Sequence, residues 1–124
     1  MATVELTAAD FQSTVASKPI VLVDFWASWC GPCRSFAPVF DKSAQAHPDI
    51  VHAKADTETE QELAAALQIR SIPTIMAFRD GVLVFSQPGA LPAVALEDLI
   101  TQITALDMDD VRAQIAAQSE APTT

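Results

Sequence analysis

The segment FWASWCGPCRSF, residues 25–36, contains the only two cysteines of this 124-residue chain, Cys30 and Cys33. It follows IVLV, residues 20–23, a run of apolar and β-branched residues without polar alternation. Such a continuous run is typical of a strand that is covered on both faces in a parallel sheet. We therefore predict a central strand that ends near Trp26, then a short loop, then a helix that begins at the cysteines.

The position of Cys30 at the start of a helix favours thiol chemistry. Unpaired N–H groups and the helix macrodipole stabilise negative charge at a helix N-terminus, and the thiolate is the reactive form of cysteine. Pro32 suits the first turn, because its missing N–H would have no intrahelical partner there. Cys33 would lie one turn along, near enough to Cys30 to close a disulfide. This context favours a redox couple.

The cysteine pair has two other interpretations, a metal site and a structural disulfide. Cys30, Cys33, His47 and His52 are separated by two, thirteen and four residues, which falls within the spacing of a two-Cys, two-His zinc site. That site needs both histidines on one helix face, whereas Pro48 follows His47 and a strand pattern begins near His52. A purely structural disulfide is also disfavoured, because closing a loop of two residues removes little entropy from the unfolded chain.

The remaining sequence predicts alternating strands and helices. The strand candidates are TVEL (3–6), IVHAKAD (50–56) and the two halves of TIMAFRDGVLVF (74–85), which flank a tight turn at Asp80-Gly81. The helix candidates are residues 8–16, the segment after the cysteines, residues 59–67, and a last helix with Leu96, Leu99, Ile100, Ile103 and Leu106 on its inner face. Thr7 with Asp10, and Thr59 with Glu62, have the spacing of capping boxes. The order β-α-β-α-β-α-β-β-α predicts a mixed sheet with helices on both faces.

Composition restricts the partners and the compartment. Sixteen acidic against seven basic residues give a formal net charge of −9, which repels nucleic acid and anionic membranes. The N-terminal MATVELTAAD lacks the cationic and apolar regions of a secretory signal, and the longest apolar runs fall far short of the roughly 20 residues that span a bilayer. We expect a soluble, cytoplasmic protein whose thiols stay reduced.

Four motifs together resemble the thioredoxin family. They are VDFWASWCGPC (23–33), KAD (54–56), IRSIPT (69–74) and PGAL (88–91), and the resemblance covers roughly residues 3–106. It implies an α/β thioredoxin fold, a five-stranded mixed β-sheet flanked by four α-helices, in a domain of residues 1–106. It also implies reduction of protein disulfides by a monomer with no bound cofactor, its electrons supplied from NADPH through a flavoprotein, thioredoxin reductase.

The residues and the resemblance assign the same roles to the cysteines. Cys30 is the nucleophile that forms a mixed disulfide, and Cys33 resolves it. Asp24 lies in the apolar strand, where burial would raise its pKa and allow it to accept the proton of Cys33; a solvent-facing position is the alternative. Lys54 matches the family lysine that tunes this acid, although strand lysines are mostly exposed. Gly31-Pro32 adds no cation beside the thiolate, so the couple is expected to be reducing.

The resemblance also implies a substrate surface around Cys30. Pro73 matches the family's cis-proline, which would bring Ile72 beside Cys30 to pair with an extended substrate. The other matching positions are Trp29, Gly31, Pro32, Gly89 and Ala90. Core packing of Trp29 and a simple turn at Gly89 are the alternatives.

Two features depart from the family pattern. Arg34-Ser35 stands where many members have a lysine and a large apolar residue, which keeps a charge near Cys30 but alters the rim. Residues 107–124 form an acidic and polar extension beyond the family's usual end, which is either a short helix capped by Asp109 or disordered. A scaffold that does not use its cysteines, and an isomerase or oxidase, are the competing functions.

Overall fold

The computed structural model describes residues 2–120, in which strands and helices alternate and are followed by one further helix. The elements are β1 (Thr3–Glu5), α1 (Phe11–Val15), β2 (Ile20–Trp26), α2 (Gly31–Ala46), β3 (Val51–Asp56), α3 (Gln61–Ala66), β4 (Thr74–Arg79), β5 (Val82–Pro88), α4 (Ala93–Thr104) and α5 (Met108–Glu120). The predicted order is confirmed up to α4. The predicted number of four helices is wrong, because the described residues form five.

The five strands form one mixed sheet with β2 at its centre. The strand order is β1-β3-β2-β4-β5, and β2 pairs with β3 in parallel and with β4 in antiparallel orientation. Residues 20–25 of β2 are all buried, as the apolar run predicts for a central strand. In this register Asp24 lies opposite Lys54 on β3 and Ile75 on β4.

The core lies on both faces of the sheet, and β2 contributes to each face in turn. Val21, Val23 and Phe25 pack with the buried residues of α1 and α3. Ile20 and Leu22 pack with buried residues of α2 and α4 on the other face. Because successive side chains of a strand alternate between faces, the side chain at residue 24 belongs to the face covered by α2.

The two predicted capping boxes had different outcomes. Thr7 N–H donates to Asp10 Oδ1 (2.7 Å) and Asp10 N–H donates to Thr7 Oγ1 (3.3 Å), so the first reciprocal pair is present. It closes a turn, however, and α1 begins only at Phe11. The second box is wrong: Thr59 Oγ1 donates to Asp56 O, and α3 begins at Gln61 without a side-chain cap.

The predicted hairpin is confirmed. β4 and β5 are joined by Asp80 and Gly81, whose φ angles are 53° and 79°. Positive φ at both positions is the conformation of the turn that matches the twist of paired strands, and Asp-Gly is a favoured sequence for it. At the end of β4, Arg79 Nη1 donates to the carbonyl oxygens of Ile103 (2.6 Å) and Thr104 (3.3 Å), and so caps the C-terminus of α4.

The C-terminal extension contains a helix that is longer than predicted. Asp107, rather than the predicted Asp109, caps α5, because its Oδ1 accepts the N–H groups of residues 109 and 110. Met108 is buried, and Arg112 Nη2 lies 3.3 Å from Asp80 Oδ2. The first turns of α5 are therefore held against the β4–β5 hairpin. Residues 121–124 of the predicted extension lie outside the described residues. In the part of the chain that is described, none of the helices is long and apolar enough to cross a bilayer.

Candidate active site

Cys30 and Cys33 lie at the start of α2, the longest helix of the described chain, just after the central strand β2. Cys30 is the N-cap of α2, with extended backbone angles, and its Sγ accepts a hydrogen bond from the N–H of Cys33 (3.2 Å). The two cysteines are joined as a disulfide, with their Cα atoms 5.2 Å apart. Both side chains are at least 96% buried, since their exposed fractions are 4% and 3%. The sulfur of Cys30 therefore occupies the position of a helix cap.

The local sequence explains why α2 begins at this point. Pro32 is in the first turn, where a residue without an N–H costs no intrahelical hydrogen bond. The N–H of Cys33 would have no helical partner, and the sulfur of Cys30 supplies one. A 16-residue helix directs its positive dipole end at the same sulfur, so negative charge on Cys30 Sγ is favoured.

A second loop brings backbone polar groups to the cysteines. The Ile72–Pro73 peptide bond is cis, and the carbonyl oxygen of Ile72 lies 3.7 Å from Cys30 Sγ. Pro73 is buried, and its carbonyl oxygen accepts the N–H of Gly89 at 2.7 Å. Three chain segments that are distant in sequence, around Cys30, Ile72 and Gly89, thus meet at one place.

The remaining positions of the expected substrate surface are exposed. The side chain of Trp29 is 66% exposed, so the alternative of core packing is wrong for this residue. Gly89 has a φ of 103°, a conformation that other residues rarely adopt, so its turn requires a glycine. The same residue also lies beside Pro73. The other exposed positions are Gly31, Pro32 and Ala90. A largely apolar rim therefore surrounds the half-buried Ile72 and the disulfide.

Asp24 is a buried carboxyl on the α2 side of the sheet. Its exposed fraction is 0%, which overturns the alternative of a solvent-facing position. Neither carboxyl oxygen has a hydrogen-bond partner among the described residues. Desolvation raises the pKa of Asp24 from 3.8 to about 7, against the opposing effect of the positive charge of Lys54. Near neutral pH this group can therefore both hold and release a proton.

Lys54 is half-buried beside Asp24. The two residues are directly opposite in the β2–β3 pairing, and the Lys54 Nζ lies 5.0 Å from the centroid of the Trp26 ring, over its face. Within the described residues no Lys54 nitrogen lies within 4.0 Å of an acidic oxygen. Lys54 and Trp26 also line a groove of about 680 Å³ between β1, α2 and the β3–α3 loop, which admits solvent to this side of the sheet.

Sequence reasoning missed one residue at the rim, Glu58. Its Oε1 accepts the indole N–H of Trp29 at 2.6 Å. The two residues are 29 positions apart, and Glu58 belongs to an acidic loop that reads as ordinary solvated surface. Only a prediction of the β3–α3 loop conformation could have indicated this pairing.

The histidines do not converge on the cysteines. His52 is 1% exposed, and its ring nitrogens lie 3.0 Å from Ser43 Oγ and 3.1 Å from the carbonyl oxygen of Ile50. His47 Nε2 lies 2.7 Å from Glu97 Oε2. Among the side chains that the structure describes, no three from His, Cys, Asp or Glu come together as a metal site would require. The zinc reading of the cysteine and histidine spacing therefore has no geometric support.

Comparison with known proteins gives one consistent result. A family model described as Thioredoxin matches residues 2–102. The chain is 56% identical over 116 residues to a putative thioredoxin 2 of Streptomyces coelicolor, and the aligned region covers 94% of this chain and 87% of that protein. It is 45% identical to thioredoxin 1 of Synechococcus elongatus, over 77% of this chain and 91% of that one. Among solved structures, a mutant thioredoxin from Halobacterium salinarum superimposes with a TM-score of 0.78 at 34% identity, covering 85% of this chain and 93% of its own.

Proposed function

Because the chain belongs to the thioredoxin family and is a dithiol–disulfide oxidoreductase, we propose a specific division of labour among the residues around Cys30 and Cys33. The protein reduces disulfide bonds of other proteins through this pair. One observation carries the assignment of roles: the sulfur of Cys30 is the cap of α2, bonded to Cys33 and to its N–H.

The reaction proceeds by two thiol–disulfide exchanges. The Cys30 thiolate attacks one sulfur of the substrate disulfide, forms a mixed disulfide, and releases the other substrate sulfur as a thiolate. Cys33 loses its proton and attacks Cys30 Sγ, which releases the second substrate thiolate and closes the Cys30–Cys33 disulfide. Two electrons pass from the dithiol to the substrate, and the two released substrate thiolates take up protons from the solvent.

Asp24 accepts the proton of Cys33 in the second exchange, and Lys54 adjusts its pKa. Burial and a pKa of about 7 support this role, because a base is most effective when its pKa lies near the working pH. We expect an Asp24→Asn variant to slow the second exchange relative to the first, most clearly between about pH 6 and pH 8. Equal single-turnover rates for variant and wild type over that range would count against the role.

The substrate lies as an extended segment across the apolar rim. The carbonyl oxygen of Ile72, 3.7 Å from Cys30 Sγ, is placed to accept a backbone hydrogen bond from a segment whose cysteine reaches Cys30. The other residues proposed to contact the substrate are Trp29, Gly31, Pro32, Pro73, Gly89 and Ala90. Pro73 is buried and would contribute only through its backbone, whereas the exposure and largely apolar character of the other five support a surface that recognises backbone and shape.

The dithiol is regenerated with electrons from NADPH through thioredoxin reductase, with no cofactor bound to this chain. The cytoplasm is the proposed compartment, because an electron-donating dithiol needs surroundings that keep thiols reduced. This places the protein in electron transport that maintains cellular redox balance. We assign residues 1–106 to the redox domain, which the family match over 2–102 supports, and 107–124 to an extension; the protein acts as a monomer.

Two measurements test this function. The midpoint potential, obtained by counting free thiols in defined thiol–disulfide buffers, should lie at or below the cytosolic glutathione poise of roughly −220 to −260 mV. A Cys33→Ser variant should accumulate a mixed disulfide with a substrate protein, and Cys30→Ser should not. A potential well above that poise would indicate an oxidase or isomerase. Full partner binding by the double Cys→Ser variant, without any loss of function, would indicate a scaffold.

A further inference from the structure

Two oppositely charged side chains rest on the residues that precede and follow Cys30. Arg34 Nη1 donates to the carbonyl oxygen of Ser28 at 2.8 Å. A Cβ atom built on Gly31 would lie 3.9 Å from Arg34 Nη2, so the guanidinium lies beside the exposed Gly31. Arg34 is thereby folded back onto the active-site loop, although it extends from the first turn of α2.

The negative charge is held on the other neighbour of Cys30. Glu58 Oε1 accepts the indole N–H of Trp29 at 2.6 Å. The loop that carries Glu58 is itself fixed, because the Glu58 N–H donates to Asp56 Oδ1 (2.9 Å) and Gln61 Nε2 donates to the Glu58 carbonyl oxygen (3.0 Å). A carboxylate therefore has a defined position at the edge of the exposed Trp29 ring.

The two charges do not neutralise each other. Among the ion pairs of the described residues, none joins Arg34 to Glu58. Glu58 also belongs to a run of alternating acids, DTETEQE (56–62), which makes its side of the rim negative. A substrate segment that reaches Cys30 thus meets a fixed cation at Gly31 and a fixed anion at Trp29.

We propose that Arg34 and Glu58 are specificity-determining residues, which sort disulfide substrates by the order of the charges that flank the attacked cysteine. The preferred substrate places an acidic side chain near Arg34 and a basic side chain near Glu58. Pairing of the substrate backbone with Ile72 gives the segment one chain direction, so the two possible charge orders are not equivalent. This inference rests on the proposed function, since it assumes that substrates are attacked by Cys30.

The expected effect is moderate and sensitive to salt. Exposed charge pairs change binding by small amounts, so the two charge orders should differ about two- to tenfold in rate when both contacts act together. Raising the ionic strength to about 1 M shortens the screening length to about 3 Å and should bring the two rates together.

The test uses three synthetic peptides, each with one cysteine linked through a disulfide to 2-thiopyridine, a neutral leaving group. One peptide has Glu before and Lys after the cysteine, the second has the reverse order, and the third has glutamine at both positions. The second-order rate constant of thiopyridone release by the reduced protein measures the first exchange. Each charged rate is divided by the rate for the neutral peptide, so that a general change in activity cancels.

The decisive variant exchanges the two charges. Arg34→Glu combined with Glu58→Arg keeps the net charge of −9 and should invert the preference between the two charged peptides. Glu58→Gln removes the negative charge but retains an oxygen that can accept the Trp29 N–H. Because only one of the two charges is lost, the preference should fall by about half on a logarithmic scale. This single variant also serves if the double variant fails to fold.

A matched exchange on α5, Arg112→Glu with Asp109→Arg, is the control. Arg112 contacts Asp80 at the hairpin turn, which follows the C-terminal end of β4, whereas Pro73 precedes the N-terminal end of the same strand. Six strand residues separate the two ends, so the control site lies about 20 Å from Pro73. This control should retain the wild-type preference.

Several results would overturn the inference: equal rates for both charge orders in the wild type, an unchanged preference in the exchanged or Glu58→Gln variants, or a preference that survives 1 M salt. Rapid reduction of the neutral peptide in any of these cases would leave the proposed function intact. Failure of the wild type to reduce the neutral peptide would instead contradict the proposed function itself.

Discussion

Replacement of Asp24 by asparagine should change the pH dependence of stability by an amount that the structure sets. Asp24 has a pKa of about 7 in the folded protein against 3.8 when it is free of the fold. At about 1.4 kcal/mol per pH unit, that interval corresponds to about 4 kcal/mol. Asp24 is 0% exposed, so solvent screening does not reduce this figure as it would for a surface group.

The sign follows from proton binding. Between pH 3.8 and about 7 the folded protein holds a proton on Asp24 that the unfolded chain has already lost, so the free energy of unfolding falls as pH rises. Above about pH 8 the folded protein must bury an ionised carboxylate and the destabilisation is complete. Asparagine cannot ionise, so Asp24→Asn should match the wild type near pH 4 and exceed its stability by about 4 kcal/mol above pH 8.

The assay is urea unfolding of the oxidised protein between pH 4 and pH 9, followed by far-UV circular dichroism. Use of the disulfide form excludes thiol ionisation from the curves. Asp49→Asn makes the same chemical change at an exposed position and should follow the wild-type profile. If the wild type and Asp24→Asn differed by the same amount at every pH, Asp24 would not titrate near neutrality and its proposed role as proton acceptor would lose its basis.

Three further predictions concern other residues. Burial lowers the pKa of His52, so the free energy of unfolding should decrease as pH falls below 6.5. In His52→Gln the free energy of unfolding measured with urea should decrease less over the same pH range, and an equal decrease would contradict the assignment. Arg79→Met removes the cap on the carbonyls of α4 and should lower the free energy of unfolding by about 1–3 kcal/mol, whereas the exposed Arg70→Met should change it by less than about 0.5 kcal/mol. Pro32→His adds a cation beside Cys30 that stabilises the thiolate, so the reduction potential measured by thiol counting should rise; an unchanged or lower value would sink this reasoning.

The fold could be predicted because its main signals are local. The unbroken apolar run of β2 indicated a central strand, Asp80-Gly81 indicated the hairpin turn, and the helical spacing of leucines and isoleucines indicated the buried face of α4. Helix starts were predicted less well. Thr59 has the spacing of a capping residue, but its hydroxyl donates to a carbonyl of the preceding loop, and sequence spacing alone does not distinguish the two bonds.

The residues of the candidate site also differ in how well the sequence predicts them. Cys30, Cys33 and Asp24 could be proposed from a cysteine pair and from a carboxylate inside an apolar strand. The contact between Trp29 and Glu58 could not, because it depends on how the β3–α3 loop folds back over 29 residues. The position of Lys54 over the Trp26 ring likewise depends on side-chain packing that no periodicity encodes.

The hydrogen bond from the N–H of Cys33 to Cys30 Sγ has a consequence for the rate of turnover. The sulfur of Cys30 remains a hydrogen-bond acceptor as a thiolate, in a mixed disulfide and in the closed disulfide, so α2 need not lose its cap at any stage of the cycle. The covalent bond changes while the backbone that holds it does not need to reorganise. Turnover should therefore be limited by encounters with partner proteins or by the exchange steps themselves, rather than by a conformational change within this chain.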